Sequence, residues 1–324
     1  MTRIAAVVIG RNEGARLVAC LASLEGLVSL GRKVYVDSGS TDGSVDAART
    51  AGAEVVALDT LQPFTAARAR NAGLDQLRKG AEPDLVQFLD GDCALDPSWL
   101  TAACSFLDEN PKVAVVCGRR RERFPTTSVY NRMCDAEWDT PTGEAHACGG
   151  DALIRWQALE DVGGYNPDLI AGEEPEMCLR MRRLGWQIWR LDAEMTLHDA
   201  AMSKFSQFWK RMQRGGFAAA EGAAMYGRDP ERHGVATLRR ALLWGAGLPI
   251  VILAGLIFVG PIALWGLLAY PAQILRLALR DGGGRFAWEE ALFLTIGKFA
   301  ETTGIFSYHL RRLRGGNVQL IEYK

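Results

Sequence analysis

Leu85-Val86-Gln87-Phe88-Leu89 runs without a break into Asp90-Gly91-Asp92, and this junction limits the possible folds more than any other stretch. Five mostly apolar residues with branched and aromatic members read as a buried central strand. Carboxylates at the end of such a strand lie where open α/β sheets place their ligands. Gly91 removes side-chain bulk, so backbone and carboxylates can approach a charged ligand closely. Two carboxylates at the rim of a core repel each other unless a cation or a donor lies between them. A hard divalent ion, with phosphate oxygens and water in its other positions, suits the pair. Asp-Gly-Asp is also good turn chemistry by itself, so the remaining sequence must decide.

The flanking sequence alternates strands and helices. Ile4–Ile9, Lys33–Val36, Glu54–Leu58, Leu85–Leu89 and Val113–Cys117 read as strands, with helical spacing between them. The Ile4–Ile9 run behind Met1-Thr2-Arg3 is too brief for a signal peptide and reads as the first strand. Asp37 to Ser44 is a Ser/Thr/Asp/Gly loop in which Thr41 or Asp42 can cap the next helix. A helix over Phe64–Lys79 carries Arg68, Arg70 and Asn71, and Pro97 opens another that runs to about Asn110. This order implies parallel strands joined by right-handed crossovers. Arg119-Arg120-Arg121 is either a phosphate grip or a solvated face.

Cys148-Gly149-Gly150-Asp151 is a turn, followed by a helix from about Arg155 to Val162. Gly172 leads into a helix whose first turn holds Pro175, which leaves Glu173 and Glu174 at the helix mouth. The helix dipole favours carboxylates there whatever their role. Gln187–Leu191 is a late strand with His198 after it, and Ser203 to Tyr226 reads as a helix interrupted at Gly215-Gly216. With seven cysteines and no Cys-x-x-Cys pair, reduced thiols fit better than a disulfide framework or a zinc site. A net charge of −1 gives no sign of a nucleic-acid partner.

Ala241 to Leu275 carries no charged residue. As a helix, Ala241–Val259 would span roughly 28 Å, close to a bilayer's hydrocarbon thickness. Gly260-Pro261 breaks the run and Ile262 to Leu279 returns. Arg239, Arg240, Arg276 and Arg280 flank a hairpin with both ends in the cytosol. Phe286–Leu313 reads as amphipathic and interfacial. The expected organisation is a catalytic domain over 1–235, a transmembrane or re-entrant hairpin over 236–281, and an interfacial segment over 282–324.

Several motifs occur in a fixed order: Val8-Ile9-Gly10-Arg11-Asn12-Glu13, Val36-Asp37-Ser38-Gly39-Ser40-Thr41-Asp42-Gly43-Ser44, Ala69-Arg70-Asn71-Ala72-Gly73 and Asp90-Gly91-Asp92. Gly163-Gly164-Tyr165 and Gly172-Glu173-Glu174-Pro175-Glu176 follow. Over about residues 1–225 the chain resembles the inverting family 2 glycosyltransferases. The resemblance implies the GT-A fold, a Rossmann-like, mostly parallel sheet flanked by helices. It also implies a nucleotide-diphospho-sugar donor, with uridine the expected base, and a divalent cation, Mg²⁺ or Mn²⁺. Asp37 matches the acid that binds base or ribose, and Arg70 the nucleotide-contacting arginine. Arg11, Glu13, Asp90, Gly149, Gly150 and Arg214 complete the expected donor site. Asp92 matches the metal ligand, with Asp90 and His198 completing the shell. Glu174 falls where the family has the aspartate general base. The pair here is Glu-Glu, so either Glu173 or Glu174 takes that role.

Together with the hairpin, the resemblance implies an enzyme at the inner membrane with its active site in the cytoplasm, where nucleotide sugars are made. It would act in polysaccharide biosynthesis on a lipid-linked or membrane-delivered glycan. A haloacid-dehalogenase phosphatase would carry its Asp-x-Asp near the chain start. A sugar nucleotidyltransferase would show a glycine-rich amino-terminal signature, and a dehydrogenase a Gly-x-Gly-x-x-Gly after the first strand. The non-enzymatic alternative is a membrane-tethered partner subunit that binds nucleotide sugar without catalysis, favoured only by Glu173-Glu174.

Overall fold

The computed structural model describes residues 2–27 and 30–314. They form two compact units, the first comprising residues up to Thr127 and Cys134–Ala201, the second Ser128–Met133 and the residues from Met202 onward.

The first unit is built on a nine-stranded sheet. Its strands are β1 (Ile4–Gly10), β2 (Leu30–Asp37), β3 (Glu54–Ala57), β4 (Leu85–Asp90), β5 (Cys93–Leu95), β6 (Val113–Glu122), β7 (Gly143–Ala145), β8 (Ala152–Arg155) and β9 (Gln187–His198). The order is β3-β2-β1-β4-β8-β6-β9-β5, with β7 on β9. As the alternation predicts, β1, β2, β3 and β4 are parallel, as are β6 and β9. The sheet is nevertheless mixed. β8 lies antiparallel between β4 and β6, and β5 and β7 pair antiparallel with β9.

Several boundaries shift. Ala152–Arg155 is a strand where the helix was expected to begin, and that helix starts at Trp156. β6 continues past Cys117 to Glu122, so the arginine run belongs to the strand. β9 continues past Leu191 to His198.

The helices of this unit are α1 (Ala15–Ser23), α2 (Ser44–Thr50), α3 (Ala66–Arg78), α4 (Trp99–Glu109), α5 (Val129–Glu137, its first turns in the second unit), α6 (Trp156–Val162) and α7 (Glu173–Arg183). α1 forms because Leu17, Cys20 and Leu21 recur at helical spacing, and all three are buried. At α3, the Thr65 hydroxyl accepts from Arg68 N. Gly73 lets α3 lie on β1, since a Cβ there would strike Val7. α2 starts at Gly43, in the left-handed region at φ 82, without a side-chain cap. Asp42 instead accepts from Ser44 N and Oγ, and Thr41 turns to Asn12. The β4 run is buried throughout. Gln87 is accommodated because its Oε1 accepts from Trp99 Nε1 at 2.8 Å and its Nε2 donates to Phe88 O.

The second unit is helical, with α8 (Phe205–Tyr226), α9 (Val235–Leu242), α10 (Leu248–Phe258), α11 (Ala269–Arg280) and α12 (Arg285–Arg314). A π-helical turn, Leu243–Gly247, joins α9 to α10, and a 3-10 helix, Pro261–Leu268, precedes α11. Val235–Phe258 and Pro261–Arg280 are long and apolar enough to cross a membrane. Ile250, Leu253, Ile257, Phe258 and Trp265 among them are largely exposed. Gly215-Gly216 does not interrupt α8. Gly216 is where α12 comes close, because a Cβ there would meet the Glu301 carbonyl, and Gly304 of α12 stands likewise against Gln213. The small-residue side of α12, including Gly297, Ala300 and Gly304, is therefore buried, while Trp288, Leu292, Phe306 and Leu310 are exposed. Residues 315–324 of the expected interfacial segment lie outside the described residues.

Candidate active site

The carboxyl ends of β2, β1 and β4 set the first group. Gly10 pairs with Asp37 and Ile9 with Asp90, so the two aspartates stand at one edge of the sheet, two strands apart. That is roughly 10 Å between strand axes. Asp37 is buried. Its Oδ1 accepts from Tyr35 OH at 3.1 Å, and its Oδ2 accepts from Gly39 N and Ser40 N, each at 2.9 Å. The carboxylate thereby shapes the loop that follows it. Asn12, at φ 55, ties the loop after β1 to the same segment: its N donates to Ser40 Oγ and its Oδ1 accepts from Thr41 N. Arg11 lies over the Phe64 ring at 4.6 Å, and Glu13 pairs with Arg16 at 2.8 Å.

The second group centres on Arg70, a nearly fully buried guanidinium in α3. It lies 2.9 Å from Glu173, 2.8 Å from Glu174 and 3.0 Å from Asp90, with Tyr165 beneath it. Residues about a hundred positions apart thus converge on one cation. Gly172, left-handed at φ 78, starts α7 so that Glu173 and Glu174 occupy its first turn. Gly150 is required at this spot, because a Cβ would stand 2.7 Å from Arg70 Nη2 and 2.8 Å from Asp90 Oδ2. At Gly149 a Cβ would meet nothing within 4 Å. Burial, then the charge of Glu173, raise the Glu174 pKa to about 7 against the opposing pull of Arg70.

Asp90 Oδ2 also faces Arg120 at 3.2 Å. Arg120 is in turn 3.5 Å from Asp151, whose Oδ1 accepts from Asp90 N and whose Oδ2 accepts from Thr196 Oγ1. The arginine run therefore divides, with Arg121 exposed and Arg119 and Arg120 largely buried. Arg120 turns into the site, while Arg119 and Arg121 pair with Asp135.

The third group is Asp92, Cys93 and His198, whose donor atoms all lie within 4.8 Å of one another. Antiparallel pairing of β5 with β9 sets Cys93 opposite His198. His198 Nε2 is 3.3 Å from Asp92 Oδ2, and its Nδ1 is 3.6 Å from Glu122. Trp138 packs edge-on to His198 at 4.7 Å, with Arg120 over its ring at 4.8 Å. Burial, then the charge of Arg120, lower the His198 pKa, so the imidazole is neutral at neutral pH. Burial pushes the Cys93 thiol up, which keeps it protonated. Oxygen and neutral imidazole donors fit Mg²⁺ or Mn²⁺. Each oxygen of Asp90 faces an arginine, and Asp90, Cys93 and Asp151 form a second group of close donor atoms beside the first.

Arg214 belongs to α8 of the second unit and is not among the residues that the first unit brings together. Asp151, Glu122 and Trp138 had no assigned part in the sequence reading. Asp151 alone carried a signal there, as an acid ending a Gly-Gly turn.

The model for "Glycosyl transferase family 2" matches residues 6–162, and that for "Glycosyl transferase family group 2" matches 85–279. The chain belongs to the family 2 glycosyltransferases. Succinoglycan biosynthesis protein ExoA of Rhizobium meliloti is 24% identical over 213 residues, 61% of this chain and 64% of that protein. Glycosyltransferase AglE of Haloferax volcanii is 26% identical over 190 residues, 55% of this chain and 60% of that protein. The chain thus spans less than two thirds of the length of either relative. Among solved structures, the mannosyltransferase PcManGT of Pyrobaculum calidifontis, in complex with GDP-Man and Mn²⁺, superposes with a TM-score of 0.63 at 17% identity. That match covers 94% of this chain and 87% of PcManGT. The fold is GT-A.

Proposed function

We propose that the chain is a metal-dependent inverting glycosyltransferase that moves a sugar from a nucleotide-diphospho-sugar to a hydroxyl of a lipid-linked or membrane-delivered glycan. One observation carries the reading: Arg70 ties Glu174 of α7 to Asp90 of β4 through contacts of 2.8 and 3.0 Å. A candidate base and the acidic strand end thus share one cluster. UDP-sugars are the family expectation. The GDP-Man bound by PcManGT makes a GDP-sugar the second donor to test.

Asp37 and the loop it shapes receive the nucleoside, with Arg11 and Glu13 at its border. Asp92 and His198 would hold the divalent cation, which when bound supplies Lewis-acid stabilisation of charge on the leaving diphosphate. Arg70 and Arg120 hold Asp90 in place beside it. Glu174 takes the proton from the acceptor hydroxyl as that oxygen attacks the anomeric carbon. The bond to the diphosphate breaks in the same displacement, which inverts the configuration. Of the Glu-Glu pair, Glu174 is the better base, because 14% of its side chain is open against 4% for Glu173.

The exposed apolar hairpin anchors the enzyme in a membrane, where confinement raises the effective concentration of a lipid-borne acceptor. The nucleotide-sugar pool places the catalytic unit on the cytoplasmic face of the inner membrane. The deciding experiment is thermal shift with UDP-glucose and GDP-mannose, with and without Mn²⁺. A metal-dependent stabilisation by one donor is expected, with release of nucleoside diphosphate when membrane extract is added. Binding without turnover under any acceptor condition would favour the non-catalytic partner subunit instead.

A further inference from the structure

Beside this centre the first unit holds a pocket of about 380 Å³, in the size range of small-ligand sites. It opens where the β6–β9 register breaks, between Cys117 and Arg119 and again between Arg119 and Arg120. Bulges of this kind re-aim side chains beside active sites. The wall contains Arg119, Arg190, Asp139, Asp192, Glu194 and Thr142. Arg190 is only 5% exposed. Its Nη1 donates to the Thr140 carbonyl, its Nη2 is 3.5 Å from Asp139, and its buried Nε has no hydrogen-bond partner among the described residues. Arg119 Nη1 lies 3.1 Å from the same Asp139 oxygen without hydrogen-bond geometry. Burying two guanidiniums is expensive unless their donors are used. The counter-ion they share, Asp139, is an exposed side chain, and Arg119 also donates to Asp135 at 3.4 Å.

The lining decides what could use them. Two cations face three carboxylates, so the net charge disfavours an anion. The surface offered is mostly polar, which disfavours a lipid or an aromatic ring. Guanidiniums only donate, carboxylates only accept, and a threonine hydroxyl does both, which is the complement of a neutral polyol. Two pairs of consecutive residues divide between the reaction centre and the pocket. Arg119 lines it while Arg120 touches Asp90, and Asp139 lines it while Trp138 packs on His198.

We infer that this pocket is a saccharide subsite holding an uncharged sugar unit of the acceptor glycan. The inference rests on the glycosyltransferase reading above.

The test uses the full chain in nanodiscs and saturation-transfer NMR with cellobiose, mannobiose and lactose, with glucuronate and inorganic phosphate as anionic probes. The variant is Thr142→Val with Asp192→Asn, both exposed positions, and Asp192→Asn alone serves if the double variant melts early. At least one disaccharide should give a signal that falls fivefold or more in the variant, while the donor-induced thermal shift is unchanged and the anions stay silent. Silence from all three disaccharides, a signal that survives the substitutions, or stronger binding of glucuronate or phosphate would overturn the subsite. A donor response with silent disaccharides sinks the subsite alone. Loss of the donor response in the unaltered protein sinks the glycosyltransferase reading itself.

Discussion

Replacing Glu174 with Gln removes one ionisable group while keeping its size and its approach to Arg70. In the unaltered enzyme the carboxyl titrates at about 7, raised by burial and by Glu173. A base must be ionised to act, so activity should be lost as pH falls through that value. About a tenth of the enzyme carries the base form at pH 6 and about nine tenths at pH 8, roughly a ninefold rise in rate. Glu174→Gln should lower kcat by about 10² to 10⁴ and abolish this limb of the profile, with donor affinity little changed. Stability moves the other way. The folded-state pKa lies above the unfolded one, so the contribution of Glu174 is complete below about pH 4.5 and lost as pH rises through about 7. The variant should therefore gain in melting temperature relative to the unaltered protein more at pH 8 than at pH 5. The assays are nucleoside diphosphate release and thermal melts across pH. A variant that keeps the limb near pH 7, or loses donor binding along with turnover, would refute the assignment.

Arg70→Met leaves the carboxylates of Asp90, Glu173 and Glu174 without their shared cation. Breaking a buried pair in this way costs about 3–5 kcal/mol, which a thermal melt should show as a loss of roughly 10 °C. Gly216→Ala drives a methyl into the Glu301 carbonyl and should cost about 1–3 kcal/mol. Gly215→Ala meets nothing within 4 Å and should leave the melting temperature unchanged or higher. Leu253→Lys with Ile257→Lys charges two exposed hairpin positions, each at a cost of about 2.5–3.5 kcal/mol in a bilayer centre. This variant should be released by alkaline carbonate washing while the unaltered chain stays with the membrane pellet.

The parts of the fold that were legible in the sequence are those whose local pattern and tertiary role agree. Leu85–Leu89 is apolar because it is central, and Gly172-Glu173-Glu174-Pro175 opens a helix by the ordinary rules of helix starts. The parts that misled are those where long-range pairing overrides local pattern. Ala152–Arg155 runs straight into Trp156 with no turn residue between, so the helix was legible while the short strand before it went unassigned. Arg119-Arg120-Arg121 looks solvated because charge usually is, and only the alternation of a strand turns Arg120 inward against Asp90 and Asp151. Gly215-Gly216 looks like a break because glycine weakens helices; the close approach of α12, which it permits, has no local signature. For the candidate site, order and spacing of motifs pointed to the acids that cluster there, but not to the residues packed around them. Asp151, Glu122 and Trp138 act through contacts across the sheet.

The antiparallel seat of β8 also has a cost during synthesis. As the chain emerges from its amino end, β1 to β4 can associate early, since their partners are close in sequence. One flank of β4 then waits through the whole stretch from Asp90 to Ala152 before its neighbour arrives. An apolar strand with unpaired amides invites pairing with the wrong chain. Crowded, overloaded expression should therefore yield aggregates made by the nascent amino-terminal half, even before the hairpin has left the ribosome.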